Sequence, residues 1–244
     1  AVKGDLGQSA AGKTDKNGEL TVPEVEQTKR HGVYIVGYTD GTFGPSRSMT
    51  RSEAAAIFAR LLAEKNGDTI STAANTKFAD IPAHAWYSGY VKYLSNNGIT
   101  YGKSKTIFAP NDAITRAEFT TMAVRFFDVY GDGDAEIMEQ FSGFNDVSSG
   151  YWAAEYIKYA ALHGWINGYG DGSFHADREI NRAEVVTIVN RLLGREADED
   201  YIADNLRKLN TFPDVTKRHW AYYAVMEAAN AHTAVLGESE SWSK

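Results

Sequence analysis

The sequence predicts a mainly α-helical fold built from three copies of one unit, and three observations predict it. Met49-Thr50-Arg51-Ser52-Glu53, Ile114-Thr115-Arg116-Ala117-Glu118 and Ile180-Asn181-Arg182-Ala183-Glu184 share one pattern, with arginines 65 and 66 residues apart. A second pattern alternates with it: Phe78-Ala79-Asp80 to Trp86, Phe144-Asn145-Asp146 to Trp152 and Phe212-Pro213-Asp214 to Trp220, with six residues from Asp to Trp each time. Apolar residues follow both patterns at helical spacing. A single unit of this size cannot bury its own apolar face, so the copies must share a core. At 244 residues and 43% hydrophobic, the chain can build one.

Residues 1–30 read as a linker by composition. Gly37-Tyr38-Thr39-Asp40-Gly41-Thr42-Phe43 then reads as a tight turn, since Asp-Gly supports positive φ, and short β segments flank it. Thr50 followed by Glu53 is a capping box that opens a helix carrying Ala55, Ile57, Phe58, Leu61 and Leu62 on one face. After a polar connector over 65–76, Asp80 is expected to cap the helix that follows Trp86, which carries Tyr90, Val91, Tyr93 and Leu94 and stops at Gly98. The order then repeats. Gly102 to Phe108 carries Lys105-Thr106 where the other copies have Asp-Gly, so its turn must differ; the helix opened by Thr115 and Glu118 carries Phe119, Met122, Ala123 and Phe126. A connector over 128–142 leads to Asp146, Trp152 and a helix of Tyr156, Ile157, Tyr159 and Ala160, ending at Gly164. Gly168-Tyr169-Gly170-Asp171-Gly172-Ser173-Phe174 repeats the first turn, and the helix opened by Asn181 and Glu184 carries Val185, Ile188, Val189 and Leu192. The connector over 195–211 has room for a short helix, because Tyr201, Ile202, Leu206 and Leu209 are helically spaced. Asp214, Trp220 and a helix of Tyr223, Ala224, Met226 and Ala229 close the chain.

The chain opens on an arginine half and ends on a tryptophan half, which splits the first copy between the termini. The simplest way to bury both halves is a closed ring. The expected division is a linker over 1–30, the loop and arginine half of repeat 1 over 31–77, repeat 2 over 78–143, repeat 3 over 144–211, and the tryptophan half of repeat 1 with a tail over 212–244.

Composition excludes several classes of function. Twenty-five Lys and Arg against thirty-two Asp and Glu give a formal charge of −7, the wrong sign for gripping nucleic acid through its phosphates. No apolar run approaches membrane-spanning length, and residues 1–17 carry no secretory apolar region. Without cysteine there are no disulfides, thiolate zinc sites or cysteine nucleophiles. Asp128, Asp132, Gly133, Asp134, Glu136 and Glu139 fall near calcium-loop positions, but Tyr130 occupies a ligand position. The six histidines show no ligand-spaced pair, so no metal or cofactor is assigned.

The arginines carry the chemistry. A cation at a helix start is opposed by the macrodipole, so Arg51, Arg116 and Arg182 ask for an anionic partner. That partner is either a ligand carboxylate, drawn by the guanidinium fork and the free helix N–H groups together, or an internal acid such as Asp40 or Asp171. Glu53, Glu118 and Glu184 serve as caps and stand beside the same arginines. Gly37, Gly102 and Gly168 admit close approach of a ligand to the backbone or merely a turn. Trp86, Trp152 and Trp220 offer stacking faces to a sugar, although a Trp opening a core helix is more often packing.

Taken together, the Phe-x-Asp, Trp, Gly-Tyr-x-Asp-Gly-x-Phe-x-Pro and Ile-Thr-Arg-Ala-Glu patterns, over residues 31–232, resemble the S-layer homology (SLH) family of bacterial cell-surface anchoring modules. The resemblance implies a pseudo-threefold spindle with a central helical bundle and three loop-helix prongs. It also implies extracellular location at the cell surface, and noncovalent binding of secondary cell-wall polysaccharide, often pyruvylated, in grooves between units. It implies a monomer that neither catalyses nor inserts in a membrane. Copy two lacks Asp-Gly, and copy three has Asn181 for Thr and Ala176 for the proline of the others, which ranks copy one, with Arg51, as the fullest site. Two other readings stand beside this one: a module for surface-lattice assembly, and a carbohydrate-active enzyme.

Overall fold

The structure is a computed structural model that describes residues 13–14, 20–21, 27–131, 141–236 and 240–243. Most of the amino-terminal stretch and the acidic run over 132–140, with its calcium-loop pattern, lie outside the described residues. Among those described, strands β1 (Lys13–Thr14) and β2 (Leu20–Thr21) pair antiparallel. Strand β3 (Gln27–His31), at the end of the presumed linker, pairs antiparallel with β4 (His232–Leu236), and β4 with β5 (Ser241–Ser243). The rest is helical: α1 (Arg51–Asn66), α2 (Ser88–Asn96), α3 (Arg116–Tyr130), α4 (Ala154–Leu162), α5 (Arg182–Leu193), α6 (Glu199–Asn205) with a following 3₁₀ turn (Leu206–Lys208), and α7 (Tyr222–Ala229). The fold is therefore mainly α with short β segments, as the periodicity predicts.

Each arginine helix packs on the tryptophan helix that follows it, α1 on α2, α3 on α4 and α5 on α7, while α3 also touches α1 and α5. The arginine helices begin with complete capping boxes at Thr50/Glu53, Thr115/Glu118 and Asn181/Glu184, and α1 and α5 end on left-handed Gly67 and Gly194. Their inner ends meet in a ring: Met49 N donates to Ile180 O, Ile180 N to Ile114 O, and Ile114 N to Met49 O, at 2.9–3.0 Å. All three side chains are fully buried, so the three units are joined at the backbone as well as by apolar packing.

Asp80, Asp146 and Asp214 do not cap the helices after them. Those helices start eight residues further on and have no side-chain cap. Each Asp instead accepts two backbone N–H groups from a glycine loop: Asp80 from Phe108 and Ala109, Asp146 from Phe174 and His175, Asp214 from Phe43 and Gly44, at 2.6–3.2 Å. The residues after the phenylalanines hold positive φ, 69° at Gly44, 59° at Ala109 and 53° at His175, which turns both N–H groups toward one carboxylate. Asp214 lies 170 residues from Gly44, so this clamp joins the carboxy-terminal part of the chain to its first loop. Helix α7 packs on α5 and meets the first segment where Tyr34 N donates to Ala228 O.

Candidate functional site

Arg51, Arg116 and Arg182 occupy the first position of α1, α3 and α5 and are only 4–5% exposed. Each Nε donates to the carbonyl of a fully buried phenylalanine in the next loop, Arg51 to Phe108, Arg116 to Phe174 and Arg182 to Phe43, at 2.8–2.9 Å. The guanidinium lies over the same ring, 4.5–5.1 Å from its centroid. Each Nη1 then reaches the capping glutamate of the neighbouring arginine helix: Glu118 for Arg51 at 3.0 Å, Glu184 for Arg116 at 3.1 Å, Glu53 for Arg182 at 3.9 Å. The internal partner is thus glutamate. Asp40 and Asp171 are exposed turn residues whose carboxylates accept from Thr42 and Ser173, which holds both below the usual aspartate range. Burial pushes the pKa of Arg116 and Arg182 down, partly offset by nearby Tyr169 and Glu184, or Tyr38 and Glu53.

The helix N–H groups expected to attract a ligand carboxylate are already committed. Arg51 N and Ser52 N donate to Asp112 O and Pro110 O, Arg116 N and Ala117 N to Arg178 O and Ala176 O, and Arg182 N and Ala183 N to Arg47 O and Pro45 O. Glu53, Glu118 and Glu184 N donate to the cap side chains. The glycines are explained by packing: a Cβ at Gly37, Gly102 or Gly168 would lie 2.5 Å from the ring of Phe212, Phe78 or Phe144. Trp86, Trp152 and Trp220 are 53%, 57% and 65% exposed rather than packed in the core.

These residues line three equivalent grooves. One, of about 260 Å³, is lined by Arg116, Gly168, Tyr169, Glu184, Arg191 and Trp220. A second, of about 230 Å³, is lined by Arg182, Gly37, Tyr38, Glu53, Arg60 and Trp86. The third, of about 90 Å³, is lined by Arg51, Tyr101, Gly102, Glu118, Arg125 and Trp152. An arginine therefore shares a groove with the loop of the next unit. Arg51 faces the altered Gly102 loop, so ranking sites by copy misplaced it in the smallest groove.

Sequence reasoning missed a second arginine in each groove. Arg60, Arg125 and Arg191 each follow a first-turn arginine by nine residues, two and a half turns along the same helix, and that spacing was readable. Unlike the buried arginines, none of the three makes an ion pair among the described residues. Arg60 lies over the Tyr90 ring, and Arg125 lies over Tyr101 and donates to the Tyr156 hydroxyl. The third groove also differs in its rim: Tyr38 under Arg47 and Tyr169 under Arg178 are replaced by Lys103 and Asp112, which pair at 2.9 Å. No histidine lines any of the grooves.

The sequence pattern of the S-layer homology domain matches residues 21–55, 77–120 and 143–186. Cell surface glycoprotein 1 of Acetivibrio thermocellus is 34% identical over 218 residues, which cover 86% of this chain and 9% of that protein. The cellulosome-anchoring protein of the same organism is 30% identical over 233 residues, covering 95% of this chain and 49% of that protein. The surface-layer 125 kDa protein of Lysinibacillus sphaericus is 32% identical over 163 residues, 65% of this chain and 13% of that protein. The chain thus spans at most about half the length of these relatives. Three matches in register with three arginine helices and three grooves establish that the chain belongs to the S-layer homology domain family.

Proposed function

We propose that this chain anchors a protein to the bacterial cell surface by noncovalent binding of cell-wall polysaccharide in the grooves between its units, without catalysis. Its family and the surface-layer and anchoring names of its relatives support the cell-surface part. The sugar chemistry rests on one observation: each groove is lined by an exposed tryptophan and by an arginine that makes no ion pair among the described residues. The apolar face of a sugar stacks on the indole while a carboxylate substituent, such as a pyruvate ketal, takes the fork of Arg60 or Arg191. The buried arginines Arg51, Arg116 and Arg182 with Glu53, Glu118 and Glu184 shape the groove floor, and Gly37, Gly102 and Gly168 let the loop close over it. In this reading residues 212–244 complete the unit begun over 31–77, and the ring works as a monomer. Since the protein is acidic overall, recognition comes from the pockets, and several pockets on one body suit a repetitive polymer.

Calorimetry with wall polymer before and after removal of its pyruvyl groups tests this. Binding should drop on depyruvylation and on Arg60→Ala with Arg191→Ala. Equal affinity for both polymers, with the protein folded, would discard the carboxylate; release of reducing ends would point to an enzyme.

A further inference from the structure

Where β3 meets β4, two histidines and two glutamates converge on one point. His31, on β3, and His232, on β4, stand opposite each other in the register. Glu227 comes from α7 and is fully buried; the Glu240 side chain, next to β5, is 5% exposed. His31 Nδ1 lies 3.2 Å from His232 Nε2, 3.3 Å from Glu227 Oε1 and 3.3 Å from Glu240 Oε1. His232 Nε2 lies 3.3 Å from Glu227 Oε2 and 3.4 Å from Glu240 Oε1. All four donors fall within 4.8 Å of one another.

Internal pairing accounts poorly for this cluster. His232 Nδ1 lies 3.0 Å from the Asn230 carbonyl, which can only accept, so Nδ1 carries a proton and in the neutral ring Nε2 faces the cluster with its lone pair. Only one proton fits between two ring nitrogens 3.2 Å apart, so the histidines cannot both be imidazolium donors there. Neither oxygen of Glu227, nor Oε1 of Glu240, receives a hydrogen bond of acceptable angle among the described residues. Two buried carboxylates thus lack a full set of hydrogen bonds in a site that Trp242, stacked 3.8 Å from His232, helps close to water.

We propose that His31, Glu227, His232 and Glu240 bind one zinc ion that ties the two ends of the described chain together. Zinc bonds of about 2.0–2.1 Å in a tetrahedron place neighbouring ligand atoms about 3.3 Å apart, and with either Glu227 oxygen as its donor four of the six separations are 3.2–3.4 Å, all lying within 4.8 Å. Two borderline imidazoles beside two carboxylates, four donors in all, suit zinc over calcium or magnesium, which take six or more oxygens, and the two carboxylate charges match that of the ion. The bond from His232 Nδ1 to a backbone carbonyl is the outer contact that orients a ligating imidazole. No groove residue is involved, so the site concerns the integrity of the module and not sugar recognition.

The test uses the full chain, stripped with a chelator and titrated with zinc alone, with bound metal counted by mass spectrometry. One equivalent per chain is expected, with a melting temperature that rises with zinc concentration. Glu227→Gln and His232→Ala should each lower zinc affinity more than about tenfold, while His84→Ala, at an exposed position, should leave it unchanged. Cobalt added to the unaltered protein supplies a readout that needs no variant: the intense visible bands of four-coordinate cobalt are expected. No bound equivalent in the parent, equal binding by all variants, or the weak spectrum of six-coordinate cobalt would each overturn the proposal.

Discussion

The groove of Arg182 and Arg60 and the groove of Arg51 and Arg125 share one floor and differ at the rim. In both, a buried arginine spans a phenylalanine carbonyl and a neighbouring glutamate. In the first, Tyr38 and Arg47 border an opening of about 230 Å³; in the second, Lys103 and Asp112 pair across their loop beside a space of about 90 Å³. The difference teaches that the repeat preserves what holds the units together more strictly than what lines the groove. The arginine singled out by the repeat is buried between a carbonyl and a glutamate, and it is the one nine residues later to which we assign the proposed sugar contact.

The largest expected effect tests the shared floor. Arg51→Ala and Arg182→Ala should each cost about 3 kcal/mol of stability, because each leaves buried acceptors unpaired; urea denaturation measures it. Loss of polymer binding with stability unchanged would reverse the assignment.

The next separates the grooves by affinity. Arg60→Ala should weaken binding of a monovalent pyruvylated sugar by about tenfold to a hundredfold, while leaving stability within about 0.5 kcal/mol. Arg125→Ala should change it by less than about threefold, since its groove is small and its guanidinium already holds Tyr156. Equal losses would erase the distinction.

A smaller effect transplants the rim. Lys103→Tyr with Asp112→Arg should raise affinity in the third groove by about threefold, whereas either change alone costs up to about 0.5 kcal/mol by breaking an exposed ion pair. Non-additivity in a double-mutant cycle is the readout.

Acid should loosen the two glycine loops held by Asp146 and Asp214. Burial would raise the pKa of Asp146 and Asp214, but the backbone N–H groups of Phe174 and His175, and of Phe43 and Gly44, outweigh it and hold both below the usual range. A folded pKa below the unfolded one means the contribution is whole above about pH 4 and fades as pH falls through the folded values. Melting temperatures taken across that window should fall, and Asp214→Asn should flatten the slope. Least of all, Ala109→Gly should stabilise by about 0.5–1 kcal/mol by relieving the positive φ that Gly44 holds without strain.

Spacing made the helices, their caps and the glycine loops legible, because each depends on residues close in the chain. Asp80, Asp146 and Asp214 were misread for the same reason. A helix eight residues ahead looked like their partner, while the N–H groups they hold lie 28 residues away or, for Asp214, at the other end of the chain. The tryptophans were misjudged because an aromatic before an apolar stripe reads as core. Arg60, Arg125 and Arg191 repeat as strictly as the first-turn arginines but sit inside helices without a motif around them. The pairing of His31 with His232 across 201 residues left no local trace.

The pairing of β3 with β4 sets how the module responds to mechanical load. Gln27 lies opposite Leu236 and His31 opposite His232, but β5 doubles back along β4 with Ser243 opposite Thr233, so the two flanks of the sheet leave it at opposite ends. Tension between the two flanks therefore loads the β3–β4 and β4–β5 pairs in shear, together rather than one after another. Tension between one end and a polymer seated in the grooves takes another route, through the arginine helices and the hydrogen-bonded ring at their inner ends. On the proposed function, a pull against a bound polymer is therefore carried by the whole body, while opposed pulling on both flanks is carried by the three-stranded sheet in shear.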